Sequence, residues 1–275
     1  MMTKIEPYWN PKRDMKDFWF SIRKEKREGF FDVSSVPESV MPFFSFVYLL
    51  EGEVLLEIEG QPWLCQAGQV LLIPRNIPFK VLYFKENKSY ECGFAIRAVK
   101  DPSYECLHDP HPLLQTFPPE EAAFTAALLE QMLTAWKRKK FALVSSTLDL
   151  FLCRLEVREG HPGNVAVNLF LERVFDRSRK PCKVSDYADE LCITPNYLNR
   201  LVRSQTGHSA MEWIEISRLN LAKSLLKQGE LQIAEIATAV GIDDQSYFTR
   251  FFKKNEGYTP SQFRELLTKA RNDND

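Results

Sequence analysis

Apolar residues between Val184 and Arg264 follow a pattern that occurs twice. Each copy opens with apolar side chains at positions i, i+3, i+4 and i+7, the spacing of one face of an α-helix. These positions are Val184, Tyr187, Ala188 and Leu191 in the first copy and Ile233, Ile236, Ala237 and Val240 in the second. Ile233 follows Val184 by 49 positions, and in the next predicted helix Tyr247 follows Tyr197 by 50. A pattern repeated at this period indicates a duplicated supersecondary unit.

The second helix of each copy has an apolar side and a polar side. The apolar residues, predicted to be buried, are Leu198, Leu201 and Val202 in the first copy and Phe248, Phe251 and Phe252 in the second. The predicted base-reading residues on the polar side are Asn196, Asn199, Arg200, Gln245, Ser246, Thr249 and Arg250, and the predicted phosphate-binding residues are Arg203, Lys253 and Lys254. Amide, hydroxyl and guanidinium groups pair with base edges and phosphates in a major groove. One such helix alone is more often only solvated, but two in register favour a pair of helix-turn-helix units, at about 184–207 and 233–257, that bind double-stranded DNA.

Further features of the two copies bear on DNA contact. Tyr197 and Tyr247 are predicted to pack partly into the core, with DNA contact as the alternative. His208 and Ser209 begin a helix whose first backbone N–H groups could hold a phosphate. This helix runs to about Gln228, which is about 28 Å at about 1.5 Å per residue. It would hold the two units near the separation of successive major-groove faces, about 34 Å.

The two copies resemble a known family of proteins. The segments that carry the resemblance are Pro195–Leu201, Thr206–Ser209, Ser246–Lys254 and Gly257–Arg264. They are similar to the recognition helices and the closing signature of AraC/XylS-type transcriptional regulators. Cys192 stands where this family usually has Gly, and Ile242 stands where it usually has Phe, which concerns the local geometry of the turns. The resemblance implies RNA polymerase as a further partner.

From Phe43 to Phe94 the chain changes to short aromatic and β-branched runs separated by turn residues. Turns are predicted at Glu51-Gly52-Glu53 and at Gly60-Gln61-Pro62. Strands at this spacing favour a small antiparallel barrel or sandwich. The segments Leu50–Val54 and Ala67–Pro74 resemble the cupin-type effector domain that precedes the helices in many AraC-like regulators. The predicted fold is therefore α+β in two domains: an N-terminal cupin-like β-barrel with flanking helices, and a C-terminal all-α domain with two helix-turn-helix units joined by a long helix.

The second resemblance implies that a small-molecule effector, not identified by the sequence, binds in the N-terminal barrel. The predicted effector-binding residues are Phe46, Tyr48, Trp63 and Tyr83, and core packing of these strand aromatics is the alternative. A metal ion needs suitable ligands on converging strands. All four histidines lie outside the strand region, at His108, His111, His161 and His208. We therefore predict no metal, no cofactor and no catalytic residues.

Helical periodicity returns after Pro118, and two amphipathic helices are predicted there. Their apolar seams include Phe124, Leu128 and Met132 in the first helix and Leu148, Phe151 and Leu152 in the second. One helix is expected to cover the barrel and the other to pair with its mate in a homodimer, and packing of both on the barrel is the alternative. Glu159–Asn164 contains Gly, Pro and polar residues that break the pattern. The domains are accordingly placed at 1–160, for effector binding and dimerisation, and at 161–275, for DNA binding.

Composition narrows the remaining choices. A chain of 275 residues with 44% hydrophobic and 27% charged residues has room for two globular domains. The formal net charge is −1, so attraction to DNA must come from the local placement of charge on the two helices. Six scattered cysteines without a C-x-x-C pair, together with the lack of a signal peptide and of a long apolar run, predict reduced thiols, a cytoplasmic location and no membrane partner. The residues from Met1 to Arg13 are predicted to form an irregular arm, and Arg23–Glu28 a solvated loop or hairpin end.

Together these patterns predict a sequence-specific transcriptional regulator controlled by an effector, and not an enzyme. One alternative is a cupin enzyme with an accessory DNA-binding domain, against which the missing histidine ligands argue. Another is a DNA-binding module whose barrel serves only dimerisation. The family resemblance favours an activator, although the residues themselves do not distinguish activation from repression.

Overall fold

A computed structural model describes residues 18–24, 39–157, 164–176 and 179–272. The chain divides into two compact units, and their described parts are 18–24 with 39–157, and 164–272 apart from 177–178. The predicted N-terminal arm and the predicted domain boundary at residue 160 lie outside the described residues.

The N-terminal unit is built on one antiparallel sheet. Its strands are β1 (Phe18–Lys24), β2 (Ser39–Val40), β3 (Phe44–Ile58), β4 (Gln61–Gln66), β5 (Gln69–Ile73), β6 (Pro78–Phe94) and β7 (Leu113–Thr116). The sheet order is β1-β6-β3-β5-β7, with β2 added to β6 and β4 added to β3. The two ends of this order do not pair among the described strands, so the sheet is cupin-like without closing into the barrel that the sequence predicted.

β3 is continuous where the sequence predicted a turn at Glu51-Gly52-Glu53. Its pairing with β6 shifts register between Leu49 and Glu51 and again between Glu51 and Glu53, and Gly52 has φ of 81°. The glycine therefore forms a β-bulge, which bends a strand without reversing it. The chain reverses instead at Glu59 and Gly60, both with positive φ, which is the geometry of a two-residue hairpin turn.

The residues after Phe18 also differ from the prediction of a loop or hairpin end. Arg23 lies in β1, opposite Ser89 of β6, and its Nε donates to the Glu91 carboxylate at 2.6 Å. A partner 68 residues away gives this charged segment its strand conformation. The rest of the run, 25–28, lies outside the described residues.

Two helices cover one face of the sheet: α1 (Pro119–Lys137) and α2 (Phe141–Leu152). Both contribute to the same buried cluster as the strands. The ring of Phe46 lies 4.5 Å from that of Phe151, and the Tyr48 hydroxyl donates to the Ala122 carbonyl at 3.0 Å. Both helices therefore pack on the sheet, and pairing of one of them with its mate in a homodimer stays a prediction.

The C-terminal unit is helical. Its helices are α3 (Val165–Phe175), α4 (Val184–Glu190), α5 (Pro195–Thr206), α6 (Ala210–Gln228), α7 (Ile233–Ala239), α8 (Gln245–Glu256) and α9 (Pro260–Asn272). α4–α5 and α7–α8 are the two repeated helix pairs, and α6 joins them as predicted. α6 packs against α3, α4 and α5 and also against α7 and α9. Within the described ranges, none of the helices is long and apolar enough to cross a membrane.

Candidate nucleic-acid interface

The turn inside each helix pair has the same hydrogen bonds. Cys192 and Gly241 follow the first helix, with φ of 56° and 79°. Ile193 N–H donates to the Ala188 carbonyl at 3.0 Å, and Ile242 N–H donates to the Ala237 carbonyl at 2.9 Å. A left-handed residue with these bonds forms a Schellman motif, which ends the helix and redirects the chain. Cys192 thus adopts the conformation that glycine usually supplies, and Ile242 is buried.

The second helix of each pair begins with a side-chain cap at the same position. Thr194 Oγ1 accepts the Tyr197 N–H at 3.3 Å, and Asp244 Oδ1 accepts the N–H groups of Ser246 and Tyr247 at 2.7 and 2.9 Å. These two backbone donors lower the pKa of Asp244, so it stays ionised. Such caps satisfy backbone donors that a helix start leaves unpaired. α5 and α8 therefore begin at fixed points.

The apolar sides of α5 and α8 anchor both helices in the core of the unit. Leu198, Val202, Phe248 and Phe252 are fully buried, and Phe251 is nearly so. On the opposite side the exposed predicted residues are Asn196, Arg200, Arg203, Gln245, Ser246, Arg250, Lys253 and Lys254, while Asn199 and Thr249 are half-buried. All ten residues predicted to contact DNA thus lie on α5 and α8, and eight of them are exposed to solvent.

The two outer faces differ in how their side chains are held. The Arg200 guanidinium lies 5.3 Å from the centre of the Tyr197 ring, and Arg203 Nη2 lies 3.5 Å from the Glu212 carboxylate. Thr249 donates to the Gln245 carbonyl in its own helix at 2.9 Å. In the first unit the Glu212 carboxylate therefore offsets part of the positive charge of Arg203, while the Tyr197 ring holds Arg200 without changing its charge.

Asn199 has a contact that the sequence pattern did not reveal. Its Oδ1 accepts the backbone N–H of Ala210, the first residue of α6, at 3.1 Å. Ser209 and Glu212 form a capping box at the same helix start, where Ser209 N–H donates to Glu212 Oε2 at 2.6 Å and Glu212 N–H donates to Ser209 Oγ at 3.2 Å. These donors are already satisfied, so the phosphate site predicted at His208 and Ser209 is not supported.

Tyr197 and Tyr247 lie at equivalent positions near the starts of α5 and α8. Their side chains are 41% and 50% exposed. Both residues are therefore exposed on the recognition helices, so the alternative of DNA contact stays open for each.

The four aromatic residues predicted to bind an effector do not form one group. Phe46 and Tyr48 belong to the cluster between the sheet and the helices α1 and α2, so core packing holds for both. Trp63 and Tyr83 pair with consecutive residues of β3, Leu56 and Leu55. Consecutive residues of a strand point to opposite faces, so Trp63 and Tyr83 lie on opposite faces of the sheet.

A polar group that the sequence analysis missed lies on the sheet face away from α1 and α2. Ser45 alternates with Phe46 in β3, and Ser89 and Glu91 alternate with the aromatic and apolar residues of β6. All three are buried, and in the described part of the chain the Ser45 and Ser89 hydroxyls have no hydrogen-bond partner. Arg23 pairs with Glu91 beside them. Polar residues at alternate positions in otherwise apolar strands were the available signal.

No group of three or more His, Cys, Asp or Glu side chains that could hold a metal ion occurs among the described residues. Burial raises the pKa of the Cys106 thiol to about 11 and that of Cys92 further above its usual value. These cysteines remain protonated thiols, which are poor nucleophiles and poor metal ligands.

Known families match both halves of the chain. A family described as a helix-turn-helix domain matches residues 187–266, and the AraC-like ligand binding domain matches residues 28–86. The arabinose operon regulatory protein of Escherichia coli is 29% identical over 245 residues, covering 82% of this chain and 81% of that protein. Among solved structures, the C-terminal domain of AraT from Geobacillus stearothermophilus is 29% identical and covers 38% of this chain and 88% of that chain, with a TM-score of 0.36.

The Salmonella typhimurium arabinose operon regulatory protein is 30% identical over 238 residues, which cover 78% of this chain and 81% of that protein. The two family matches cover the N-terminal and the C-terminal part of the chain, and the match to this one relative extends over most of both. The chain therefore belongs to the AraC family of transcriptional regulators, with an N-terminal ligand-binding domain and a C-terminal helix-turn-helix DNA-binding domain.

Proposed function

We propose that this regulator reads its operator with α5 and α8, each inserted into a major groove. In this proposal the residues that contact base edges are Asn196, Arg200, Gln245, Ser246, Thr249 and Arg250. Arg203, Lys253 and Lys254 contact phosphates. Residues 161–275 act as the DNA-binding domain, and residues 1–160 act as the effector-binding and dimerisation domain.

The observation that supports this proposal is the equivalent placement of Arg200 and Arg250. Each lies on the exposed side of a capped helix whose other side is anchored in the core. A recognition helix needs a fixed orientation and free polar side chains at its outer face, because base readout depends on bidentate geometry. The exposure of Arg200 and Arg250 at the same position of two anchored helices supports this role for both.

The test is a binding titration of a selected duplex by the Arg200→Ala and Arg250→Ala variants. Each variant should lose about 1–3 kcal/mol of binding free energy and relax specificity at one position of the site. Arg75→Ala removes an exposed arginine from the N-terminal unit and is the matched control. Unchanged affinity of both recognition-helix variants, with an intact fold by circular dichroism, would refute the proposal.

The effector is proposed to bind against the sheet face that carries Ser45, Ser89 and Glu91. Buried hydroxyls without partners cost free energy unless a ligand or water satisfies them. Thermal shift against a metabolite collection should find a stabilising compound, because a ligand that binds the folded state raises its stability. A Ser45→Ala/Ser89→Ala variant should lose that shift, whereas Tyr83→Phe on a different part of the sheet should keep it. The absence of any stabiliser would favour the alternative in which the domain serves only dimerisation.

Homodimer formation is proposed through the outer side of α2. Leu143 and Leu150, seven residues apart and so on one face of this helix, are exposed apolar side chains. A Leu143→Lys/Leu150→Lys variant should sediment as a monomer if this side forms the interface.

The remaining parts of the proposal are the absence of enzymatic activity, a cytoplasmic location and contact with RNA polymerase. The relatives that match most of the chain are named as operon regulators, which supports all three.

A further inference from the structure

The two repeated units differ where the recognition helix meets the helix that follows it. In the first unit Asn199 of α5 accepts a hydrogen bond from the N–H of Ala210. Fifty positions later, Thr249 of α8 and Pro260 of α9 stand at the equivalent places. Proline has no N–H, so nothing at that position of the second unit requires an acceptor.

The contact in the first unit satisfies a buried donor. Ala210 is fully buried, and a buried backbone N–H without a partner is costly. Its neighbour Ser209 is the N-cap of α6 and accepts the Glu212 N–H, so the side chain of Ser209 is engaged elsewhere. Asn199 is the group within the described residues that reaches the Ala210 N–H. In the second unit Pro260 is also buried, and Thr249 donates to the carbonyl of Gln245 one turn back.

We infer that Asn199 is a positioning residue that fixes α5 against the start of α6, and that base reading at this level of the two helices belongs to Thr249 of the second unit. This inference rests on the proposed DNA-binding function and divides the predicted base-reading residues differently. The hydrogen bond from Ala210 fixes the orientation of the Asn199 amide. The bidentate contact to adenine requires that both the oxygen and the nitrogen of the amide be aimed at the base. Readout by α5 then falls to Asn196 and Arg200.

The backbone at the start of α6 is compatible with a proline at position 210, as found at position 260 of the second unit. Ser209 has φ of −72° and ψ of 159°, an extended conformation that suits a residue before proline. Ala210 is the first residue of α6, where proline is favourable. Replacing Ala210 by proline removes the N–H that Asn199 accepts and puts the ring carbon in its place. Asn199→Thr with Ala210→Pro therefore transfers the pair of the second unit into the first.

The experiment uses the full chain, with wild type, Asn199→Thr, Ala210→Pro and the double variant. Thermal unfolding and selection from a randomised double-stranded DNA pool are measured for each. Asn199→Thr leaves the buried N–H unpaired and should lower the unfolding temperature by on the order of 5 °C. Ala210→Pro should lower it as well, because the Asn199 oxygen loses its donor. The double variant should return close to the wild-type temperature and keep every base preference that the wild type shows.

Two outcomes would overturn the inference. One is additive destabilisation in the double variant, which would mean that the two residues do not act as a pair. The other is a double variant that is stable but has lost the wild-type preference at one base pair, which would mean that Asn199 reads that base. A wild-type chain that selects no consensus would refute the proposed function instead, and the unfolding temperatures would still decide whether Asn199 and Ala210 are coupled.

Thr249→Asn in the second unit is the matched control. Because Pro260 has no backbone N–H, the oxygen of the newly introduced amide would have no donor at that position. The unfolding temperature should stay within about 2 °C of wild type. The selected consensus should change at the position that α8 reads, and an unchanged consensus would contradict the assignment of base reading to Thr249.

Discussion

Cys192 and Gly241 occupy the same turn position in the two helix-turn-helix units, 49 residues apart, and both have left-handed backbones. For glycine this conformation carries little strain, because no Cβ approaches the following carbonyl. For a residue with a side chain it costs on the order of 1 kcal/mol. The first unit therefore retains strain that the second unit does not have.

Cys192→Gly should stabilise the protein by about 0.5 kcal/mol. The gain is smaller than the relieved strain because glycine also increases the entropy of the unfolded chain. The Cys192 side chain is exposed, so no packing is lost. Urea unfolding measures the effect, and Cys192→Ala serves as the control, because it removes the thiol but keeps a Cβ. Equal stability of the two variants would show that strain at this turn is not the cause.

Gly241→Ala should destabilise the protein by about 2–4 kcal/mol, well beyond the cost of a left-handed alanine alone. A Cβ at Gly241 would lie 2.4 Å from the backbone oxygen of Pro181, which has little room to move. Gly257 is the matched control, since it has φ of 81° and nothing within 4 Å of an added Cβ. Gly257→Ala should therefore lose only about 1 kcal/mol. Equal losses would exclude a steric contribution from Pro181.

Lys223 of α6 and Glu256 of α8 form an ion pair at 3.2 Å whose side chains are 10% and 13% exposed. Lys223→Met should cost about 2–3 kcal/mol, because it leaves the carboxylate nearly buried without its partner. Lys223→Met/Glu256→Met removes both charges and should recover at least half of that loss in urea unfolding. Additive losses in the double variant would argue against coupling between the connecting helix and the second recognition helix.

Sequence patterns located the two helix pairs because helix starts, ends and apolar faces are set by local residues. The caps at Thr194 and Asp244 and the turn at Gly241 lie within a few positions of the helices they define. Gly52 was misassigned because a glycine with positive φ can form a turn or a bulge, and the partner strand decides which.

Contacts between distant residues were missed for a related reason. Asn199 has the side chain of a base reader, and only its approach to Ala210 shows that the oxygen is engaged. The pairing of Arg23 with Glu91 likewise depends on the register of β1 and β6. Periodicity identifies the face on which a residue lies, but it does not identify the partner that the residue meets there.

Glu212 should restrain DNA binding by the first unit, because its carboxylate lies 3.5 Å from Arg203. The second unit has Gln262 at the equivalent position, where Gln262 Oε1 accepts the Thr259 N–H at 2.9 Å. Glu212→Gln should therefore keep the cap on Ser209 while releasing Arg203 toward a phosphate. We expect DNA affinity to rise about two- to fivefold at low salt and the gain to shrink at high salt, because the pair is exposed and screened. Glu230→Gln makes the same change in net charge elsewhere in the unit, and an equal gain there would contradict a local effect.

The same substitution has a stability effect that depends on pH. Hydrogen bonds from Ser209, aided by the nearby His208 and Arg203, lower the pKa of Glu212 from its usual 4.5. A carboxylate with a lowered pKa stabilises the folded state fully above pH 4.5, and this contribution is lost as the pH falls through the lowered value. At pH 7 the wild type should be more stable than Glu212→Gln by less than about 1 kcal/mol, because Glu212 and its partner Arg203 are both exposed. Urea unfolding at a series of pH values should show this difference decline below pH 4.5. A difference that stays constant to pH 3, or grows there, would show that the charge on Glu212 is not its source.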